Sequence, residues 1–374
     1  MSLPDNMTLK ERIAGLIAAT GPIPVSEYMA TCLFDPMDGY YTTREPFGTE
    51  GDFTTAPEIS QMFGELIAVW LYRVWQGLGK PMPLTLAEIG PGRGTLMKDM
   101  LRTLDRIEPA FLAAVDVAMI ETSPRLAEVQ NATLASAGKA VSWHRTIETL
   151  PHQLLLIVGN ELFDAIPVRQ FVKQGSGWRE RMVGLDEAGR LSFFAGAASL
   201  DCDLLPDDAE GALEGTILEI APARAALMQA IAERIAAAGG AGLFIDYGHL
   251  VRGFGDTLQA VRAHAYENVL ASPGEADLTT HVDFAGLAAV ARAQGLEIGA
   301  SSQAEFLLEL GLLERAGRLG AGKPQEEQAA ISAAVERLAG PDAMGDLFKV
   351  LGVAPAGTEL PALRPMPEAP RVAR

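Results

Sequence analysis

Two cysteines in 374 residues, Cys32 and Cys202, are too few for a disulfide framework, and they form neither a C-x-x-C pair nor a zinc-finger spacing. Such sparse use fits a reducing compartment, although the sequence leaves one bridge between them open. No charge-free apolar run reaches the roughly 18 residues that a membrane-spanning helix needs. The start, MSLPDNMTLKERIAGLIAAT, lacks the apolar core of a signal peptide. Basic residues are scarce: 30 Lys and Arg stand against 48 Asp and Glu, a formal net charge of −18. That balance repels phosphate backbones and anionic lipid. Nucleic acid and membrane insertion are therefore disfavoured, and a basic peptide is tolerated. Alternatively, the charge serves only solubility. The histidines fall in no metal-ligand spacing, so no catalytic metal is expected. The reading is a soluble protein of the bacterial cytoplasm, or of the mitochondrial matrix in a eukaryote. Oligomerisation is compatible with it.

What is present is ample apolar material, 48% of the residues, enough for a sizeable core. Residues 1–58 read as a helical segment followed by an irregular, aromatic-rich loop over 34–58. Short apolar strands are expected at Leu84–Ile89, Val115–Ile120 and Leu154–Val158, alternating with helices over 95–107 and 123–137. That order predicts an α/β fold with a Rossmann-like, doubly wound parallel sheet. The sheet core is assigned to 59–167 and 216–282, interrupted by an antiparallel β insertion over 168–215. A helical C-terminal part follows over 283–353, then a loose, Pro-rich tail over 354–374.

The stretch LAEIGPGRGTL, residues 86–96, sets three glycines after a strand and before a helix. Such a turn marks a nucleotide crevice at the strand's C-terminal end. A phosphate loop would need a Lys that is absent beside Thr95. A dinucleotide fingerprint would place its third glycine three positions past the second, whereas Gly90, Gly92 and Gly94 alternate. Glu88 would also repel a pyrophosphate, the more so at low dielectric. S-adenosylmethionine has no phosphate and carries a sulfonium and an ammonium, so Glu88 can face positive charge. Glu121, after the next strand, is placed to take both ribose hydroxyls. A tight turn without ligand is the alternative. Trp143, in VSWHRTIETLP, is a candidate to stack on the adenine, or else plain packing.

Together with GDFTTAPEISQMFGELIAVW, GNELFDAIPVRQF, GLFIDYG, DLTTHVDF and DLFKVLGV, the glycine stretch resembles the MidA-like family of S-adenosylmethionine-dependent methyltransferases. The DP..GYY segment at 35–41 fits as well, and the resemblance spans roughly residues 20–353. It implies a protein arginine methyltransferase that symmetrically dimethylates a core subunit of respiratory complex I and aids assembly of that complex.

A guanidinium is a poor nucleophile because its lone pairs are delocalised, so such an enzyme needs carboxylates to clamp it and bias its charge. Glu161 and Asp164 in NELFDAIP are three apart, and on one helical turn they would share a face. They are the candidate catalytic pair. Alternatively, Asn160 and Glu161 cap a helix. Asn160 is also a candidate for the cofactor's methionine end. Asp52, Thr54, Thr55 and Glu58 could form a lid over the cofactor, or a capping box at Thr55 to Glu58. Asp246 and Tyr247 end a strand and should face the crevice, where Tyr247 could stack on the substrate cation. His281 is a candidate base or substrate contact, or a structural residue. Two further readings stay open: a non-catalytic cofactor-binding assembly factor, and a methyltransferase with another substrate.

Overall fold

The computed structural model describes residues 7–43, 54–201, 204–206 and 208–367. In chain order its strands begin with β1 (Ile23–Pro24), β2 (Leu84–Ile89), β3 (Asp116–Ile120), β4 (Val141–His144) and β5 (Leu154–Asn160). Next come β6 (Arg169–Gln174), β7 (Gly177–Leu185), β8 (Leu191–Ser199), β9 (Ile217–Ile220) and β10 (Gly240–His249). The rest are β11 (Gln259–Arg262), β12 (Ala265–Glu267), β13 (Asp277–Thr279), β14 (Val282–Asp283), β15 (Leu296–Ser302), β16 (Phe348–Pro355) and β17 (Arg364–Pro365).

The main sheet runs β17-β15-β16-β10-β5-β2-β3-β4, with β14 beside the end of β10. β4, β3, β2, β5 and β10 are mutually parallel. Every residue of β2 and β5 is buried, as continuous apolar strands covered on both faces should be. The helices Gln61–Gly77 and Thr95–Ile107 cover one face, where Trp70, Leu71, Met100 and Leu104 meet Leu84 and Leu86. Pro222–Ala238 and Phe284–Ala293 cover the other, where Ile231, Ile235 and Phe284 meet Ala87 and Ile89. After β4 the chain returns to the opposite side of β2 to form β5. The order therefore reverses at β2, and the ligand crevice of such a sheet opens at that switch.

Three assignments change. β9 leaves the main sheet and pairs with β6, extending the antiparallel insertion, because Phe171 and Leu218 share a small core with Trp178. The main sheet resumes at β10. The segment 283–353 is not simply helical, since β16 lies between β10 and β15 and is antiparallel to both. Short apolar runs such as FKVLGVAP fit a buried helix or a buried strand equally well, and the neighbouring strands decide. Residues 354–367 are not loose. Leu360 and Leu363 are buried, the Trp70 Nε1–H donates to the Pro361 carbonyl at 2.8 Å, and β17 pairs with β15.

Candidate active site

β2 is followed by Gly90, whose φ of +66° belongs to the left-handed region that favours glycine. A Cβ there would stand 2.9 Å from Leu162 Cδ1. Gly94, at φ +81°, caps the helix Thr95–Ile107, and the turn between them leaves a bare cradle at the strand ends. The crevice has two lobes that meet at Gly90. One is walled by Thr55, Glu58, Glu88, Gly92, Asn160 and Glu161. The other is walled by Ile120, Glu121, Ile147, Leu162 and Leu227, a more apolar lining.

Glu88 is 3% exposed, and its Oε2 has no hydrogen-bond partner among the described residues. Burial pushes its carboxyl up to about 8, opposed only by the nearby Met97 N–H. An orphaned acid beside a stripped backbone suits a cation. Glu121 is held differently. Its Oε1 accepts from the Ser123 N–H at 2.7 Å and its Oε2 from Gln130 Nε2 at 3.0 Å. Gln130 also donates to the Gly92 carbonyl at 2.9 Å, tying the acid to the glycine turn. Burial raises the Glu121 carboxyl, and these donors oppose the rise.

Gln130 belongs to none of the sequence motifs, yet its spacing carries a signal. Leu126, Gln130 and Leu134 are the buried stripe of one helix, so a polar residue interrupts it at spacing four. Trp143 does not line either lobe. It lies on β4, packs toward the other face of the sheet, and donates its Nε1–H to Gln130 Oε1 at 3.0 Å. Ile147 and Leu162 line the apolar lobe instead.

At the end of β5 the backbone turns sharply, with Glu161 at φ +50°. No helix forms there, so the expected shared helical face and the helix-cap alternative both give way to a turn. The cause is distant. Asp246 is fully buried and accepts from the N–H groups of Phe163 at 2.9 Å and Asp164 at 3.2 Å. The buried Arg224 donates to the carbonyls of Ile166, Asp164 and His281. Asp246 thus holds the turn rather than facing the crevice, and β10 continues past it to His249.

Glu161 Oε1 accepts from Asn160 Nδ2 at 3.1 Å and from the Ala56 N–H at 3.4 Å. Burial, then the charge of Asp164, pushes its carboxyl up to about 7. Burial also raises Asp164, although Tyr247 and Arg224 oppose it. Asp164 is 6% exposed and lines neither lobe; its Oδ2 accepts from the Tyr247 hydroxyl at 2.9 Å, and its Oδ1 has no hydrogen-bond partner among the described residues. The Tyr247 ring is flanked edge-on by His281 at 5.6 Å and Phe348 at 5.5 Å, so the expected stack on a substrate cation is replaced by a hydroxyl contact. His281 lies outside both lobes. Its N–H donates to Thr257 Oγ1, its carbonyl accepts from Arg224, and burial lowers its pKa.

Thr55 precedes the short helix Ala56–Ile59 without a side-chain cap, so no capping box forms. Glu58 accepts instead from Thr95 Oγ1 at 2.5 Å. Thr54 offers its carbonyl to Arg337 and lines neither lobe. Asp52 lies outside the described residues.

The model of the S-adenosyl-L-methionine-dependent methyltransferase family matches residues 66–301. Curated relatives named protein arginine methyltransferase NDUFAF7, mitochondrial, align along most of the chain. The Danio rerio protein is 33% identical over 93% of this chain and 87% of its own length. The Homo sapiens protein is 32% identical over 91% and 81%. A crystal structure from Burkholderia thailandensis, bound to S-adenosyl-homocysteine, superposes with a TM-score of 0.79 at 29% identity, covering 96% of this chain and 97% of its own.

Proposed function

The chain belongs to the S-adenosyl-L-methionine-dependent methyltransferase family, and on that premise we propose that it is a protein arginine N-methyltransferase. Its substrate is a core subunit of respiratory complex I, dimethylated symmetrically in aid of assembly. Its place is the bacterial cytoplasm, or the mitochondrial matrix in a eukaryote.

The cofactor, S-adenosylmethionine, supplies an activated methyl group on a sulfonium. The residues present fit it. The orphaned Glu88 suits its positive end, with Asn160 beside it. Glu121, steadied by Gln130 and Ser123, suits the ribose diol, and the lobe around Ile147, Leu162 and Leu227 suits the base.

One observation carries the arginine reading. Glu161, half-buried and lining the crevice, and Asp164, buried and outside both lobes, are acids of one turn, and Asp164 Oδ1 has no hydrogen-bond partner among the described residues. Two neighbouring carboxyls with raised proton affinity ionise together only beside a cation, and a planar fork can satisfy both. They bias positive charge toward the nitrogens they hold. Methylation also costs the guanidino nitrogen a proton, and Glu161, which lines the crevice and whose proton affinity burial raises, is placed to receive it.

The test mixes the protein with methyl-labelled cofactor and complex I subunits. Label appearing on an arginine, and lost in Glu161→Gln, supports the proposal. Tight subunit binding without transfer would favour the non-catalytic assembly factor. Label on another residue type would favour another substrate.

A further inference from the structure

Tyr247 stands apart from the crevice lining, yet it makes the one side-chain hydrogen bond to the Asp164 carboxylate seen among the described residues. The phenol is held from several sides. It sits on β10 opposite Phe348 of β16 in the strand register, and that ring packs edge-on against it. His281 closes another side. Asp246, the residue before it, fixes the backbone N–H of Tyr247 with Oδ1 at 3.0 Å while Oδ2 holds the Phe163–Asp164 turn. One buried aspartate therefore sets the spacing between the phenol and the carboxylate it addresses.

We propose that Tyr247 is a positioning residue for the substrate arginine: its hydroxyl occupies Asp164 Oδ2 and so presents Oδ1 to a guanidinium N–H. This rests on the arginine reading above and adds a role that reading does not contain. The geometry has a chemical reason. A carboxylate with both oxygens free could rotate and accept equally well from water or from its own backbone. With Oδ2 committed at 2.9 Å, the rotation is fixed and the remaining acceptor has one direction. The phenol also donates more strongly to the ionised form than to the neutral one, so it favours the charged carboxylate that a guanidinium needs. Burial and the adjacent acids raise the phenol's own pKa, which keeps it a donor across the working range.

The charges around the pair come from several elements. Arg224 approaches from the helix Pro222–Ala238 and favours ionised Asp164, whereas Asp246 on β10 and Glu161 after β5 are like charges nearby. Asp277 on β13 and Tyr41 of the N-terminal segment bond each other at 3.1 Å, and both couple to the Tyr247 phenol or the Asp164 carboxylate. Removing the hydroxyl of Tyr247 leaves these groups in place, so its effect on Asp164 has one sign. The carboxyl must titrate higher.

The experiment follows kcat/KM for an arginine peptide from pH 6 to 9 in wild type, Tyr247→Phe and Asp164→Asn, with cofactor affinity measured beside it. Tyr247→Phe keeps the ring and its packing. The expected result is a loss that grows toward the acid end, where it approaches about tenfold, and shrinks toward pH 9, because the acid limb moves up by about one pH unit. Asp164→Asn loses activity at every pH, and cofactor affinity stays within about twofold in both variants. Site-specific replacement of Tyr247 by a fluorotyrosine, a stronger donor, should move the limb down. A loss in Tyr247→Phe that is equal at all pH values would overturn the proposal, as would an unmoved limb in the fluorotyrosine protein. Either outcome, with wild-type transfer to arginine intact, leaves the arginine reading standing. A wild-type protein that methylates no arginine overturns both.

Discussion

Without a cation beside them, Glu88 titrates near 8 and Glu161 near 7, against about 4.5 for a glutamate in an unfolded chain. The folded protein therefore holds more protons than the unfolded one between these values. Stability from this pair is greatest below about pH 4.5, falls as pH rises, and levels off above about 8. Denaturation midpoints of cofactor-free protein should decline from pH 5 to 8 by a few kcal/mol in all, and Glu88→Gln should flatten much of that slope. The same substitution should weaken S-adenosylmethionine binding at pH 8 by roughly 10- to 100-fold in calorimetry, because a charge-assisted contact is replaced by a neutral one. Glu88 and Glu121 were legible because each follows or ends an apolar strand, and strand ends define the crevice. Trp143 was not, because its direction depends on β4 pairing in register with β3, where it sits opposite Met119. A quoted motif does not print that register.

In the proposed reading, the strand-turn-helix unit at Gly90 meets the cofactor through its backbone shape, beside the side chains of Glu88 and Glu121. Gly90→Ala would force a Cβ into a left-handed residue and onto Leu162. The expected cost is about 1–2 kcal/mol of stability for the conformation, and cofactor binding should fall by at least 100-fold as Leu162 is pushed into the apolar lobe. Thermal unfolding and calorimetry on one sample read both. This unit was visible from sequence because its instructions are local: apolar run, glycines, amphipathic helix. The turn after β5 was not. NELFDAIP has nothing against a helical start, yet Asp246 and Arg224 take up its backbone groups from far along the chain. Long-range partners override a local preference whenever they satisfy buried N–H and C=O groups.

Across the molecule, the C-terminal helices share an apolar core with the sheet's covering layer and are tied to it as well through a buried acid. Glu65, 6% exposed on the helix Gln61–Gly77, accepts from Arg315 Nε at 2.6 Å and Nη2 at 3.1 Å, and from Arg102 at 3.3 Å. Arg315 comes from the helix Leu312–Gly320. Arg315→Ala leaves that acid half-compensated and should destabilise the fold by about 2–3 kcal/mol in denaturant titration, less than a wholly buried pair because the arginine is partly exposed. Changes that keep the charge, such as Arg315→Lys, should cost less. The sequence offered the helices but not their docking, since nothing local connects Glu65 to Arg315.

The placing of β16 between β10 and β15 has a consequence for synthesis. Translation delivers β10 about a hundred residues before the strand that must lie beside it. Until residues 348–355 emerge from the ribosome, one flank of β10 is a naked hydrogen-bonding edge, and Val350, Leu351 and Val353 are missing from the cores on both faces. A nascent chain halted anywhere before that point is a sticky half-sheet in need of a chaperone, however complete its glycine turn and acids already are.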